Sequence, residues 1–204
     1  TSSISGEGKT YIAANLGIVF AKSGKRTLLV GADLRKPKLY ASFGFENEVG
    51  ISNHILSDKS LSDVIIDTEI DNLDLLLSGP IPANPSDALL TDRFNQMMDK
   101  LKESYDIIIL DTPPLGLVAD ALTLMKYSDF NLYITRQNYT KKGLLTYVND
   151  MHTKKRLGDL NIVFNDVKEG SGAYGYGYGY GYGYGYGYGN SISDDYFDNE
   201  NNQE

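Results

Sequence analysis

The chain has 204 residues, with 27 acidic against 19 basic side chains and a formal charge of −8. That length suits one domain with a sizeable core, and the negative balance argues against a general nucleic-acid binder. It has no cysteine, which fits a reducing compartment, and neither a signal peptide nor an apolar run long enough to cross a membrane.

The charge is unevenly placed. Five acids and no base lie between Ser191 and Glu204, leaving 22 acids against 19 bases elsewhere. The acidity belongs mainly to the end of the chain.

Ser2-Ser3-Ile4-Ser5-Gly6-Glu7-Gly8-Lys9-Thr10 reads as a phosphate-binding loop opening a helix. Gly6 and Gly8 let backbone N–H groups turn inward, and those amides with the helix N-terminus suit anionic oxygens. Lys9 is placed for the β- and γ-phosphates, and the Thr10 hydroxyl for Mg²⁺. The pattern usually opens with glycine where this chain has Ser3, so a glycine-rich turn before a lysine is the bland alternative. Ile12, Ala13, Leu16, Val19 and Phe20 recur at helical spacing and carry the loop into a helix. A loop of this kind follows a strand, of which Thr1 can be only the last residue, so the chain reads as lacking that strand.

Lys22-Ser23-Gly24-Lys25 ends the helix, and Arg26–Val30 is an apolar strand leading into Gly31-Ala32-Asp33-Leu34-Arg35-Lys36-Pro37. Ligands bind at that end of an open α/β sheet. Asp33 is thus a site candidate, with a turn or capping carboxylate as its alternative. Residues 38–70 read as surface helices and turns, with two short amphipathic pieces at 50–56 and around Leu61, Val64 and Ile65. His54 and His152 lack ligand-type neighbours and read as bystanders. Leu73–Leu77 is a further strand, 78–85 a rigid loop, and a helix is predicted from Ser86 to Ser104. Ser86 would cap it, with Leu89, Leu90, Phe94, Met97, Met98 and Leu101 inward.

Asp106-Ile107-Ile108-Ile109-Leu110-Asp111-Thr112-Pro113-Pro114 is an apolar strand ending in an acid. An aspartate there often caps a helix; after a phosphate loop it suits Mg²⁺. A helix at 122–125, a strand at 131–136, a helix at 141–153 and a strand at 160–164 ending at Asn165 complete the alternation. It predicts an α/β fold of P-loop NTPase type, its mainly parallel sheet covered by helices on both faces. From Tyr174 to Gly189 the chain is Tyr-Gly repeated eight times. Alternate glycines leave no continuous apolar face, which predicts a disordered tail. The division is a domain at 1–170 and a low-complexity tail at 171–204.

The phosphate loop, the strand with Gly-Ala-Asp-Leu-Arg-Lys-Pro, the strand with Asp-Thr-Pro-Pro and the terminal tyrosine cluster, in that order, resemble the bacterial protein-tyrosine kinases (BY-kinases). Residues 78–86 (Ser-Gly-Pro-Ile-Pro-Ala-Asn-Pro-Ser) and 115–121 (Leu-Gly-Leu-Val-Ala-Asp-Ala) look like that family's connecting segments. The related partition and septum-site ATPases carry an extra lysine where this chain has Ile4, and have no tyrosine ladder. The family's second motif is Asp-x-Asp-x-Arg; Gly31 replaces its first acid, which leaves the division of base and metal contacts open.

The resemblance implies phosphoryl transfer from Mg·ATP to tyrosine, with Lys9, Asp33 and Asp111 catalytic and Thr10, Asp33 and Asp111 at Mg²⁺. Nucleotide contacts would come from Ser5, Gly6, Glu7, Gly8, Lys9, Thr10, Tyr11, Arg35 and Asn165, the last on adenine. Arg136 is a candidate for anion contact, or a surface salt bridge. The implied acceptors are Tyr174, Tyr176, Tyr178, Tyr180, Tyr182, Tyr184, Tyr186, Tyr188 and Tyr196. It further implies a ring-shaped homo-oligomer in which one tail enters the neighbour's site. A membrane and periplasmic portion or separate activator, an opposing phosphatase, and a place on the cytoplasmic face of the inner membrane governing capsule or exopolysaccharide export complete the expectation. An ATP-driven switch and a nucleotide-binding scaffold with a self-associating tail are the alternatives.

Overall fold

The computed structural model describes residues 1–57, 59–115, 119–154 and 159–168. The tail at 171–204, with all nine proposed acceptor tyrosines, lies outside the described residues. The described chain is built on parallel strands. Helix α1 (Lys9–Lys22) leads to β1 (Thr27–Gly31), then α2 (Ile51–Leu56), β2 (Ile65–Asp67), β3 (Leu73–Leu76), α3 (Pro85–Ala88) and α4 (Asp92–Ser104). Next come β4 (Ile107–Asp111), α5 (Asp120–Met125), β5 (Asn131–Arg136), α6 (Lys142–Thr153) and β6 (Leu160–Asn165). A four-stranded sheet has the order β2-β3-β1-β4, and β5 pairs with β6. Every pairing is parallel except β2 with β3.

Strand β1 is buried on both faces, as its unbroken apolar run requires. Alternate residues serve opposite layers. Leu28 and Val30 join α2 and α4 through Ile51, Phe94, Met97, Met98 and Leu101, while Leu29 joins α1 through Ala13, Ala14 and Ala21. Helices therefore cover both faces, as expected of a doubly covered sheet.

Four local expectations are corrected. The piece around Ile65 is not helical: Ile65 and Ile66 are β-branched and pair antiparallel with Leu76 and Leu75 as an edge strand. The helix predicted from Ser86 is interrupted after Ala88, and Thr91 caps the longer helix by accepting from Phe94 N at 3.2 Å. Leu90, at that break, is 59 % exposed rather than inward. Finally, α1 buries Ala13, Ala14, Gly17 and Ala21, and Val19 faces outward. Small residues let the helix axis approach β1 and β3 closely.

Thr1 and Ser2 pair with β5: Ser2 bridges Ile134 in parallel, and Ile134 N donates to Thr1 O at 2.8 Å. Leu115 N donates to Ser2 O. Beyond that, a cavity of about 670 Å³ separates β4 from β5, lined by Ile12, Leu16, Phe20 and the Ile107–Leu110 side chains. Those four β4 residues are accordingly only half-buried. The cavity reaches Lys9 and Asp111 at one end.

Candidate functional site

Parallel strands in register end together, so β1 and β4 deliver their last residues to one edge: Gly31 is paired with Asp111. The loop of residues 2–8 arrives at the same edge. Gly6 and Gly8 have φ of 85° and 97°, left-handed values that favour glycine, and Gly8 is the N-cap of α1. There the first-turn residues Lys9 and Thr10 meet Asp111. The Thr10 hydroxyl donates to Asp111 Oδ2 at 2.7 Å, across 101 residues of chain.

Asp111 is 5 % exposed. Burial pushes its carboxyl above the ordinary range, against the Thr10 hydrogen bond and the Lys9 charge, which pull it back. Burial likewise lowers the Lys9 ammonium, opposed by Asp111, Glu7 and Asp33. Lys9 Nζ donates to Ser2 Oγ at 2.9 Å and to Ile4 O at 3.3 Å. A cation and an anion whose charged forms are both disfavoured by burial gain from polyvalent ligands of opposite sign.

Among the described residues no three His, Cys, Asp or Glu side chains cluster as a metal cage. The donor set nonetheless fits Mg²⁺, which takes one or two protein oxygens and completes its shell with phosphate and water. Thr10 and Asp111 would supply those oxygens. Asp33 lies near enough to act electrostatically on both Lys9 and Asp111. Its Oδ1 accepts from Arg35 N at 3.1 Å and Lys36 N at 3.0 Å, so it also caps its own turn.

Other expected site residues occupy more structural positions. The Glu7 side chain is fully buried and turned under the loop, where Oε2 accepts from Ile4 N at 2.8 Å and Oε1 from the Thr140 hydroxyl. Arg35 is held by Asp120 rather than at the loop, Nε to Oδ2 at 2.6 Å, and Nη2 donates to Ser86 Oγ at 2.7 Å. Ser86 in turn donates to Asp120 Oδ1. The physical reason is a carboxylate only 3 % exposed, which requires a partner. Tyr11 is 68 % exposed on the first turn of α1. Ser5 is exposed, and its carbonyl accepts from Tyr139 Oη at 3.0 Å. Asn165, in register with Arg136, donates from Nδ2 to Glu7 O at 3.0 Å. Arg136 pairs with Asp166 at 3.0 Å and also donates to Gly6 O at 3.0 Å.

Tyr133, Tyr139, Thr140 and Asp120 were not foreseen. Tyr133 is fully buried, and its hydroxyl is bonded to Ser3 Oγ, which gives Ser3 a role in place of the usual glycine. No local pattern marks these partners, which lie from 34 to 134 residues from what they hold. His54 Nδ1 lies 2.8 Å from Lys59 O.

Residues 3–162 match a family model described as an AAA domain. Tyrosine-protein kinase YwqD of Bacillus subtilis is 39 % identical over 142 residues, covering 70 % of this chain and 60 % of that protein. Tyrosine-protein kinase CpsD of Streptococcus agalactiae is 32 % identical over 176 residues, covering 86 % of this chain and 76 % of its own. The chain spans only 23 % of tyrosine-protein kinase ptk of Acinetobacter johnsonii, at 34 % identity over 82 % of this chain. Among solved structures, the chimerical protein CapA2B2 has a TM-score of 0.78 at 35 % identity, covering 83 % of this chain and 75 % of that one. The septum site-determining protein MinD of Pyrococcus horikoshii, complexed with Mg-ADP, has a TM-score of 0.61 at 25 % identity, covering 80 % and 67 %.

Proposed function

The chain belongs to the bacterial protein-tyrosine kinases, and on that premise we propose that it moves the γ-phosphoryl group of Mg·ATP to tyrosine hydroxyls. The observation that carries this reading is the meeting of Lys9, Thr10 and Asp111 under a glycine loop, with Thr10 and Asp111 at 2.7 Å. Phosphoryl transfer asks little covalent chemistry of a protein; positioning and charge neutralisation do most of the work.

In this reading the loop amides of Ser5 to Tyr11 receive the phosphates, and Lys9 leaves Ser2 and Ile4 to meet γ-phosphate charge. Thr10 and Asp111 would hold Mg²⁺, which when bound supplies neutralisation of phosphate charge. Asp33 orients the attacking hydroxyl or takes its proton as the new O–P bond forms and ADP leaves. Asn165 meets the base, and Arg35 steadies the Asp33 turn. The likeness to a protein complexed with Mg-ADP supports nucleotide and Mg²⁺ in this fold.

We assign residues 1–170 to the kinase domain and 171–204 to its acceptor tail, with phosphate added to Tyr174, Tyr176, Tyr178, Tyr180, Tyr182, Tyr184, Tyr186, Tyr188 and Tyr196 by a neighbouring copy. Each phosphate brings about −1.5 to −2 charge. Several of them, beside five acids, repel one another and loosen a ring-shaped homo-oligomer. Regulation of capsule or exopolysaccharide export at the cytoplasmic face, with a membrane portion or activator and an opposing phosphatase, follows from the family resemblance. Among the described residues no helix is long and apolar enough to cross a membrane.

The test is incubation with labelled ATP, with Mg²⁺ and with a chelator. Mg²⁺-dependent phosphotyrosine is the expected result. Release of inorganic phosphate without phosphotyrosine would instead favour the ATPase switch.

A further inference from the structure

Three consecutive carbonyls of the phosphate loop are held by three side chains from one neighbouring region. Tyr139 Oη donates to Ser5 O, Arg136 Nη1 to Gly6 O, and Asn165 Nδ2 to Glu7 O, each at 3.0 Å. Arg136 and Asn165 are register partners at the ends of β5 and β6, and Tyr139 lies in the turn after β5. The Arg136 guanidinium also lies over the Tyr139 ring, 5.3 Å from its centroid. The three donors therefore approach from one side.

A trans peptide is planar, so each carbonyl points away from the N–H of the following residue. Holding the carbonyls of residues 5, 6 and 7 to one side turns the N–H groups of Gly6, Glu7 and Gly8 to the other. Successive N–H groups on one side form an anion-binding nest, which needs left-handed residues in alternation. Gly6 and Gly8, at φ 85° and 97°, supply them. The same side chains stand where Cβ atoms would be. A Cβ on Gly6 would lie 2.6 Å from Tyr139 Oη, and one on Gly8 2.2 Å from Asn165 Nδ2. The glycines and their outer clamp are thus one device.

We infer that Arg136 and Tyr139 are positioning residues of the nucleotide site: they fix the Ser5–Gly6 and Gly6–Glu7 peptide planes so that the Gly6 and Glu7 amides face phosphate. Neither side chain need touch the nucleotide. The inference rests on the reading of residues 2–10 as a phosphate loop. It adds a specific pairing of side chain to amide, Tyr139 to Gly6 and Arg136 to Glu7.

The experiment follows the loop amides of the whole chain by NMR during titration with Mg·ADP, in the parent and in Tyr139→Phe, Arg136→Gln and Arg136→Lys. Binding by the parent, with shifts at Gly6, Glu7 and Gly8, tests the phosphate-loop reading; its failure overturns that reading and this inference together. With binding in the parent, Tyr139→Phe should weaken affinity about threefold to tenfold, the range for one hydrogen bond, and diminish the Gly6 response most. Arg136→Gln should diminish the Glu7 response most, and Arg136→Lys should restore part of it. Tyr139→Phe keeps the ring and removes only the hydroxyl, so it carries the test if Arg136→Gln proves poorly folded. Unchanged affinity and amide responses in Tyr139→Phe, or an equal loss at all three amides, would overturn the inference while leaving the phosphate-loop reading intact.

Discussion

Gly31 and Asp111 are register partners at the ends of adjacent parallel strands, β1 and β4. Residues paired in this way share a face of the sheet. A carboxylate at 31 would therefore stand beside Asp111, and there is room to start one. A Cβ on Gly31 would lie 3.4 Å from Ser78 N and 3.5 Å from Leu39 Cδ2, ordinary contacts. Two carboxylates on neighbouring strands repel each other and raise local affinity for a divalent cation. Gly31→Asp should lower the melting temperature in chelator, enlarge its Mg²⁺-dependent rise, and increase autophosphorylation. Melting curves with and without Mg²⁺ check this. If both Gly31→Asp and Asp33→Asn leave Mg²⁺ dependence and transfer unchanged, this segment carries none of the chemistry.

Lys9→Met should abolish phosphotyrosine while keeping the fold. Burial already disfavours the Lys9 charge, so a neutral side chain of similar length removes a desolvation cost along with two hydrogen bonds. Circular-dichroism melting and phosphotyrosine blotting check the two halves. Retained autophosphorylation in folded Lys9→Met would sink the role given to the loop.

Asp111→Asn should separate stability from function. The amide keeps an oxygen for the Thr10 hydroxyl and removes a buried charge whose carboxyl is pushed upward by that burial. Without Mg²⁺ the variant should gain about 1 kcal/mol, or about 2–4 °C in melting temperature for a domain of this size. With Mg·ADP the parent's further rise should be missing. A normal rise would make Asp111 a structural hydroxyl acceptor only.

The Asp120 clasp gives a pH prediction. Burial alone would raise its carboxyl, but hydrogen bonds from Arg35 and Ser86 and the guanidinium charge outweigh that and hold it below the usual range. A carboxyl lowered in the folded state stabilises above its unfolded value, near 4, and loses that contribution as pH falls through the folded one. Arg35→Ala leaves a buried carboxylate with Ser86 alone, at a cost of about 1–3 kcal/mol at neutral pH. The loss should shrink as pH falls, beginning above the ordinary carboxyl range, because without Arg35 burial raises the Asp120 carboxyl of the variant. Urea midpoints across the acid range check it; a loss independent of pH would mean that Arg35 acts by packing alone.

The placement of the candidate site residues was legible where they lay at strand ends. Asp33 and Asp111 each close an apolar run, and parallel strands bring such ends together, so the Thr10–Asp111 contact was implicit in the spacing of the motifs. Strand β2 was not legible, because three residues carry no period, and its pairing with β3 decides its state. The break before α4 had a local signal, Thr91 followed by Asp92, which the stronger apolar spacing of Leu89 and Leu90 masked. Ser86 looked like a cap and instead serves Asp120, 34 residues away. The clamp from Tyr139 and Arg136 reaches back 134 and 130 residues. Contacts of that length depend on the assembled sheet and leave no trace in neighbouring sequence.

Transfer to the chain's own tyrosines is read out by phosphopeptide mapping after incubation with Mg·ATP. Phosphate is expected on the peptide of residues 174–189 and on Tyr196, none in chelator, and none in Lys9→Met alone. A tagged Lys9→Met chain mixed with the parent should nevertheless acquire tail phosphate. ATP consumed with every tyrosine unmodified would rule that transfer out.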